Sequence, residues 1–211
     1  EIATLYSLSL FALLASFEAL LGVTELSRNA LEMSISRLDA LSIINIMDNE
    51  SYGLHPLTRA YVSKELWSDV VTGLNFGYRY SKYWLDYSIR YGGVSYKTFD
   101  HLEKEWGNIQ SAYEHCYKLH SLNQSDDQRR QIALFASGFN DCLSRFFIFS
   151  GRWDEGILYN EKCYLMLTEI DNYRMAGWHA YRIMEFFFLR GDEENHKKWR
   201  NNCNKSWKLE G

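Results

Sequence analysis

Gly151-Arg152-Trp153-Asp154-Glu155-Gly156-Ile157-Leu158-Tyr159-Asn160-Glu161-Lys162-Cys163 is the stretch on which the reading of this chain turns. A glycine opens it, two acids follow, and apolar and aromatic residues then recur at helical spacing. The same order returns 40 residues later. Gly191 matches Gly151, Glu194 and Asn195 match Asp154 and Glu155, Trp199 matches Tyr159, and Cys203 matches Cys163. Each run reads as the start of a second helix after a glycine turn. Working outward, the pattern predicts helices over 128–150, 153–170, 173–190 and 192–207. Upstream it predicts two more, over 78–91 (stopped by Gly92-Gly93) and 98–120 (closed by the polar stretch 121–127). Helices joined by short turns pack as antiparallel hairpins.

Composition agrees with a helical chain. Among 211 residues there is one proline, Pro56, where a β-rich chain needs Pro and Gly at its turns. Tyr, Phe and Trp number 15, 12 and 7, and such wide rings fill the space between adjacent hairpins. The net charge of −4 lacks the basic excess of a dedicated nucleic-acid binder. The one dense basic cluster, His196-Lys197-Lys198-Trp199-Arg200, follows Asp192-Glu193-Glu194 and reads as a solvated helix face with its charges ordered along the dipole. Cys116, Cys142, Cys163 and Cys203 match no zinc spacing and read as small core residues in a reducing cytoplasm. The chain begins at Glu1 without a methionine and is read as a piece of a longer protein.

The first third has a different organisation. Residues 5–23 are apolar enough to suggest a membrane span, but Glu18, Ser7, Ser9 and Ser16 interrupt them, and a buried amphipathic helix is the preferred reading. Leu10, Leu13, Leu14 and Phe17 recur at helical spacing, and Thr24 or Ser27 is placed to cap a next helix carrying Leu31, Ile35, Leu38 and Leu41 on one face. Ile43, Ile44 and Ile46, the turn residues Asp48-Asn49-Glu50-Ser51, and Tyr52 to His55 then read as the only β-hairpin. Pro56 suits the first position of a following helix. Helices, a long helix, then a hairpin is the order of a winged helix. The expected architecture is therefore mainly α: a winged-helix module over 1–72 and a helical-repeat array over 73–211.

Two resemblances sharpen this. The stretch 151–163 resembles the second helix of a tetratricopeptide repeat, whose usual period is 34. In that family a glycine permits the tight interhelix turn, and small residues let the helices approach. The resemblance gives Gly151 and Gly191 the first role, and Gly156, Cys163 and Cys203 the second, with His196 taking the place of Gly156 in the later copy. Such arrays present a concave face to a protein or peptide ligand. Tyr52-Gly53-Leu54-His55-Pro56-Leu57-Thr58-Arg59-Ala60-Tyr61-Val62 resembles the wing-to-helix junction of STAND ATPases of the NB-ARC class, and 99–109 resembles the helix leading into their repeats. That resemblance implies that His55 contacts the β-phosphate of bound ADP in the full-length protein and clamps the resting state. An imidazole N–H can donate to a phosphate oxygen, and protonation strengthens the bond. Plant relatives follow this histidine with an aspartate, where this chain has Pro56, so no aspartate-dependent contact is carried over.

The chain is expected to be non-catalytic and to hold no cofactor itself, with ADP or ATP bound by an upstream nucleotide-binding domain in cis. It contains no GxxxxGK[ST] phosphate loop, no HExxH and no GxSxG. His115 and His120 do not share a helix face, and His101 with Glu105 has no further ligand. No membrane association is expected. Two alternatives compete with the switch: a winged-helix transcription regulator and a free-standing helical scaffold. DNA reading fits poorly, because 27–41 sets Arg28 and Arg37 against Glu32 and Asp39, while phosphate contacts need several cations.

Overall fold

Short turns and frequent caps divide the chain into eleven α-helices and one small antiparallel sheet among the described residues. A computed structural model describes residues 1–47, 51–93, 95–122 and 125–210. The expected turn residues Asp48, Asn49 and Glu50 lie outside them, as do Val94 and the middle of the polar stretch 121–127. The chain divides into two compact units: Glu1–Asp86 with Glu105–His115, and Tyr87–Lys104 with the residues from Cys116 onward.

The first unit runs α1(Ile2–Leu10), β1(Ala15–Ser16), α2(Phe17–Thr24), α3(Arg28–Ala40), β2(Ile44–Met47), β3(Ser51–Leu54) and α4(Pro56–Ser68). It adds most of α5(Val70–Tyr91) and the start of α7(Trp106–Leu122). The sheet order is β1-β3-β2, all antiparallel, with Ala15 opposite Tyr52 and Ile44 opposite Leu54. Hydroxyl caps set the helix starts: Ser16 Oγ accepts from Ala19 N at 3.2 Å and Ser27 Oγ from Ala30 N at 3.3 Å, so Ser27 is the cap of α3. Leu8, Phe11, Leu20, Leu31, Leu38, Leu66, Tyr80 and Trp84 form the core.

The structure refines several expected bounds. Residues 1–23, read as one or two short helices, hold two, with β1 between them. α1 stops at Leu10, and Asn108 Oδ1 accepts from Leu13 N at 2.9 Å while Ser111 Oγ donates to Leu10 O at 3.1 Å, holding the chain extended into β1. Leu41 does not belong to the buried face of α3; the helix ends one residue earlier, Ser42 turns with φ 54°, and Leu41 faces solvent. The helix expected from Tyr78 starts at Val70 instead, because Asp69 caps it, accepting from Val71 N at 3.2 Å and Thr72 Oγ1 at 2.6 Å. The expected boundary between residues 72 and 73 lies inside that helix.

The second unit holds the end of α5, a 3₁₀ turn at Tyr96–Thr98, α6(Phe99–Lys104), the rest of α7, α8(Asp126–Phe149), α9(Trp153–Glu169), α10(Tyr173–Arg190) and α11(Glu193–Glu210). The helix expected over 98–120 is thus broken at Glu105. α8 packs on α9, α9 on α10 and α10 on α11, and α8 also touches α10. Phe139, Phe146, Phe147, Ile183 and Phe186 are its buried centre. α10 ends with Gly191 N–H on Phe188 O and Asp192 N–H on Phe187 O, both 3.0 Å, a Schellman closure that needs the left-handed φ of 71° found at Gly191. Gly151 has φ 73° between α8 and α9.

None of the four cysteines is in a disulfide, and Cys116, Cys163 and Cys203 are buried. One described helix, α8, is long and apolar enough to cross a membrane, and 56% of its most apolar window is buried within the unit, as in a core helix.

Gly156 is set by close approach. A Cβ there would lie 2.6 Å from Phe186 Cζ, and Phe186 is 2% exposed, so its ring must shift within a packed core. Alanine gains about 1 kcal/mol in helix propensity, while overpacking costs about 1–3 kcal/mol. Gly156→Ala is therefore expected to lose about 1 kcal/mol in urea unfolding. A more stable variant would mean that α9 and α10 can separate at this point.

Candidate functional sites

In the first unit, the site named from sequence is the strand-to-helix junction at His55. β3 delivers the residue and Pro56 starts α4, so the imidazole stands at the N-cap. His55 Nδ1 accepts from Leu57 N at 3.3 Å, and Arg59 N donates to His55 O at 2.9 Å. With Nδ1 accepting, the ring's N–H donor is Nε2. The ring is exposed, so this N–H donor is presented at the surface. Beside it α4 exposes Leu57 by 77% and Tyr61 by 65%, one helical turn apart. Arg59 Nη1 donates to Ala12 O at 3.2 Å, tying α4 to the loop before β1. The junction offers an N–H donor within an apolar rim.

On α3, the two cations weighed for DNA contact are each paired. Arg28 Nη2 lies 2.6 Å from Glu18 Oε1, and Arg37 Nη1 lies 2.8 Å from Glu1 Oε1.

In the second unit, α8, α9 and α10 hold a buried polar chain that the sequence reading missed. Asn160 Nδ2 donates to Gly156 O at 2.7 Å, which turns its Oδ1 toward His179 Nδ1, 2.8 Å away. That oxygen can only accept, so Nδ1 carries the proton and Nε2 is left as an acceptor for the Ser137 hydroxyl at 2.7 Å. Every hydrogen bond in the chain is thereby given a direction. Burial holds the His179 pKa down to about 4, and Arg182 pushes the same way. His179 is 1% exposed and neutral at pH 7.

A cleft of about 220 Å³ opens over this chain between α8 and α10, lined by Ser137, Asp141, Met175, Trp178, His179 and Arg182. Trp178 is 52% exposed, with Tyr181 and Trp207 edge-on to it at 5.9 and 5.6 Å. Arg182 is oriented by Glu185, 3.0 Å from its Nη1. Desolvation raises the Asp141 carboxyl above its usual range, against the pull of Arg182.

The repeat residues named from sequence lie in this unit. Gly151 and Gly191 occupy turns, Gly156 meets Phe186, and Cys163 and Cys203 are buried on α9 and α11. Burial pushes the Cys163 thiol well up, which removes it from thiolate chemistry. His120 is also buried, with Nδ1 3.7 Å from Glu169 Oε2, and desolvation lowers its pKa. His101 stacks on Tyr91 at 4.3 Å, and Glu105 accepts from Asn108 at 2.9 Å. Among the described residues no group of three or more metal-ligating side chains occurs. No family model, curated protein or solved structure matches the chain.

Proposed function

We propose that the chain is a non-catalytic regulatory and interaction module of a nucleotide-dependent switch, with a winged-helix unit that relays the nucleotide state and a tetratricopeptide-like array that receives a ligand. The carrying observation is the His55 junction: an exposed imidazole whose Nδ1 is used by its own helix, leaving an N–H donor beside exposed Leu57 and Tyr61. A phosphate takes such a donor, and a protein domain covers such a rim. Supporting this reading, the order helix, strand, two helices, two strands with β3 central in the sheet is the order expected of a winged helix. The successive packing of α8 to α11 and the left-handed glycines at its turns fit stacked hairpins. The switch reading places the protein in the cytoplasm, with ADP or ATP held by an upstream domain.

The DNA-regulator alternative is disfavoured by the ion pairs that occupy Arg28 and Arg37 on α3.

In the full-length protein, His55→Ala is expected to speed ADP release by about tenfold, the worth of one charge-assisted hydrogen bond, and to favour the active form. The check is the off-rate of a fluorescent ADP analogue. An unchanged off-rate in a folded variant would leave His55 as a helix cap and remove the switch reading.

A further inference from the structure

The α8–α10 cleft has a composition unlike a general protein-docking face. One cation, one anion, one aromatic ring and one thioether surround it, over a floor where both His179 ring nitrogens are already hydrogen-bonded. Its volume of about 220 Å³ is below the ~300–1,000 Å³ of sites for drug-sized molecules.

We infer that this cleft is a binding site for a free, zwitterionic α-amino acid with an apolar side chain. The inference rests on reading the helical array as the receiving part of the module. The complement is charge by charge. Arg182 presents a planar fork of donors suited to a carboxylate, and Glu185 fixes its direction without entering the cleft lining. Asp141, on the facing helix, presents acceptors to an ammonium group. Its carboxyl is partly desolvated, so an incoming cation restores stabilisation that water no longer supplies. Trp178 and Met175 lie one turn apart on α10 and form the apolar wall for the side chain. The floor adds selectivity. Both His179 ring nitrogens are taken by Ser137 and Asn160, so the floor offers a polar side chain no donor and only the Ser137 oxygen as an acceptor, and most of its desolvation goes uncompensated. A bound amino acid bridges α8 and α10, which gives the array a way to register a metabolite.

The test is a titration of the 211-residue chain with L-leucine and L-phenylalanine, read by tryptophan fluorescence and thermal shift. L-lysine and L-glutamate serve as charged controls, and N-acetyl-L-leucinamide serves as the molecule with both charges blocked. Saturable binding of leucine or phenylalanine is expected, at least about tenfold tighter than that of the blocked amide or the charged amino acids. Asp141→Ala and Arg182→Ala should each weaken it about tenfold; both positions are at the surface, and circular dichroism confirms folding. Trp178→Phe should remove the fluorescence change and keep the thermal shift. Two results would overturn the inference: no saturable response to either amino acid, or equal binding of N-acetyl-L-leucinamide, which would make the cleft a reader of peptide units. The ADP off-rate of the His55 variant involves no amino acid, so failure here with that effect intact leaves the switch reading standing.

Discussion

Replacing His179 by alanine is expected to cost the second unit about 3–5 kcal/mol. The imidazole is 1% exposed and bridges three helices through Ser137 on α8 and Asn160 on α9. Its removal opens a cavity and strands two buried polar partners, at about 1–3 kcal/mol for each group left unsatisfied. The pH dependence gives a second, sharper readout. The folded pKa is about 4, below the unfolded value of 6.5. The unfolded state therefore binds the proton first. Stability from this residue is fully present above pH 6.5, falls as pH drops, and is gone below about 4. A shift of that size corresponds to about 3 kcal/mol. Urea unfolding between pH 7 and 4 should show the wild type losing this increment relative to His179→Ala. Parallel curves for the two proteins would mean that His179 is not the neutral, directed bridge described.

That bridge also shows where sequence reading stops. The helices of the second unit were legible because apolar spacing and terminal glycines are local signals: Gly191 closes α10 by the backbone bonds its φ requires. The hairpin was legible in the β-branched run Ile43, Ile44 and Ile46 and the extended piece from Tyr52, and the two strands pair with Ile44 opposite Leu54 and Ile46 opposite Tyr52. β1 was not, because a two-residue strand carries no periodicity and exists only through its pairing with β3. The end of α1 was hidden for a related reason: Asn108, 95 positions away, captures Leu13 N. Ser137, Asn160 and His179 are separated by 23 and 19 residues, and each looks like an ordinary polar residue on an amphipathic helix. Only the crossing of α8, α9 and α10 aligns them. His55 was legible as a residue, through the wording of its neighbours, while the cap that makes Nε2 its N–H donor had to come from geometry.

Trp84→Ala is expected to cost the first unit about 3–5 kcal/mol, the range for deleting a buried indole. Trp84 is 2% exposed on α5 and meets three rings edge-on: Tyr83 at 5.2 Å, Phe11 at 6.1 Å and Tyr80 at 6.3 Å. Such pairs add about 0.5–1.5 kcal/mol beyond area burial. Phe11 lies in the stretch that leaves α1, so the ring cluster pins that exit to α5. Trp84→Phe keeps a ring and should recover more than half of the loss. The measurement is urea unfolding with hydrogen exchange at α1 and α5, where protection should fall first. A loss under about 1 kcal/mol would show that the cluster is not the anchor of this unit. The result also controls the His55 experiment: both residues belong to the first unit. Loss of ADP retention in Trp84→Ala together with loss of exchange protection reports a melted scaffold. Loss in His55→Ala with protection unchanged reports the contact itself.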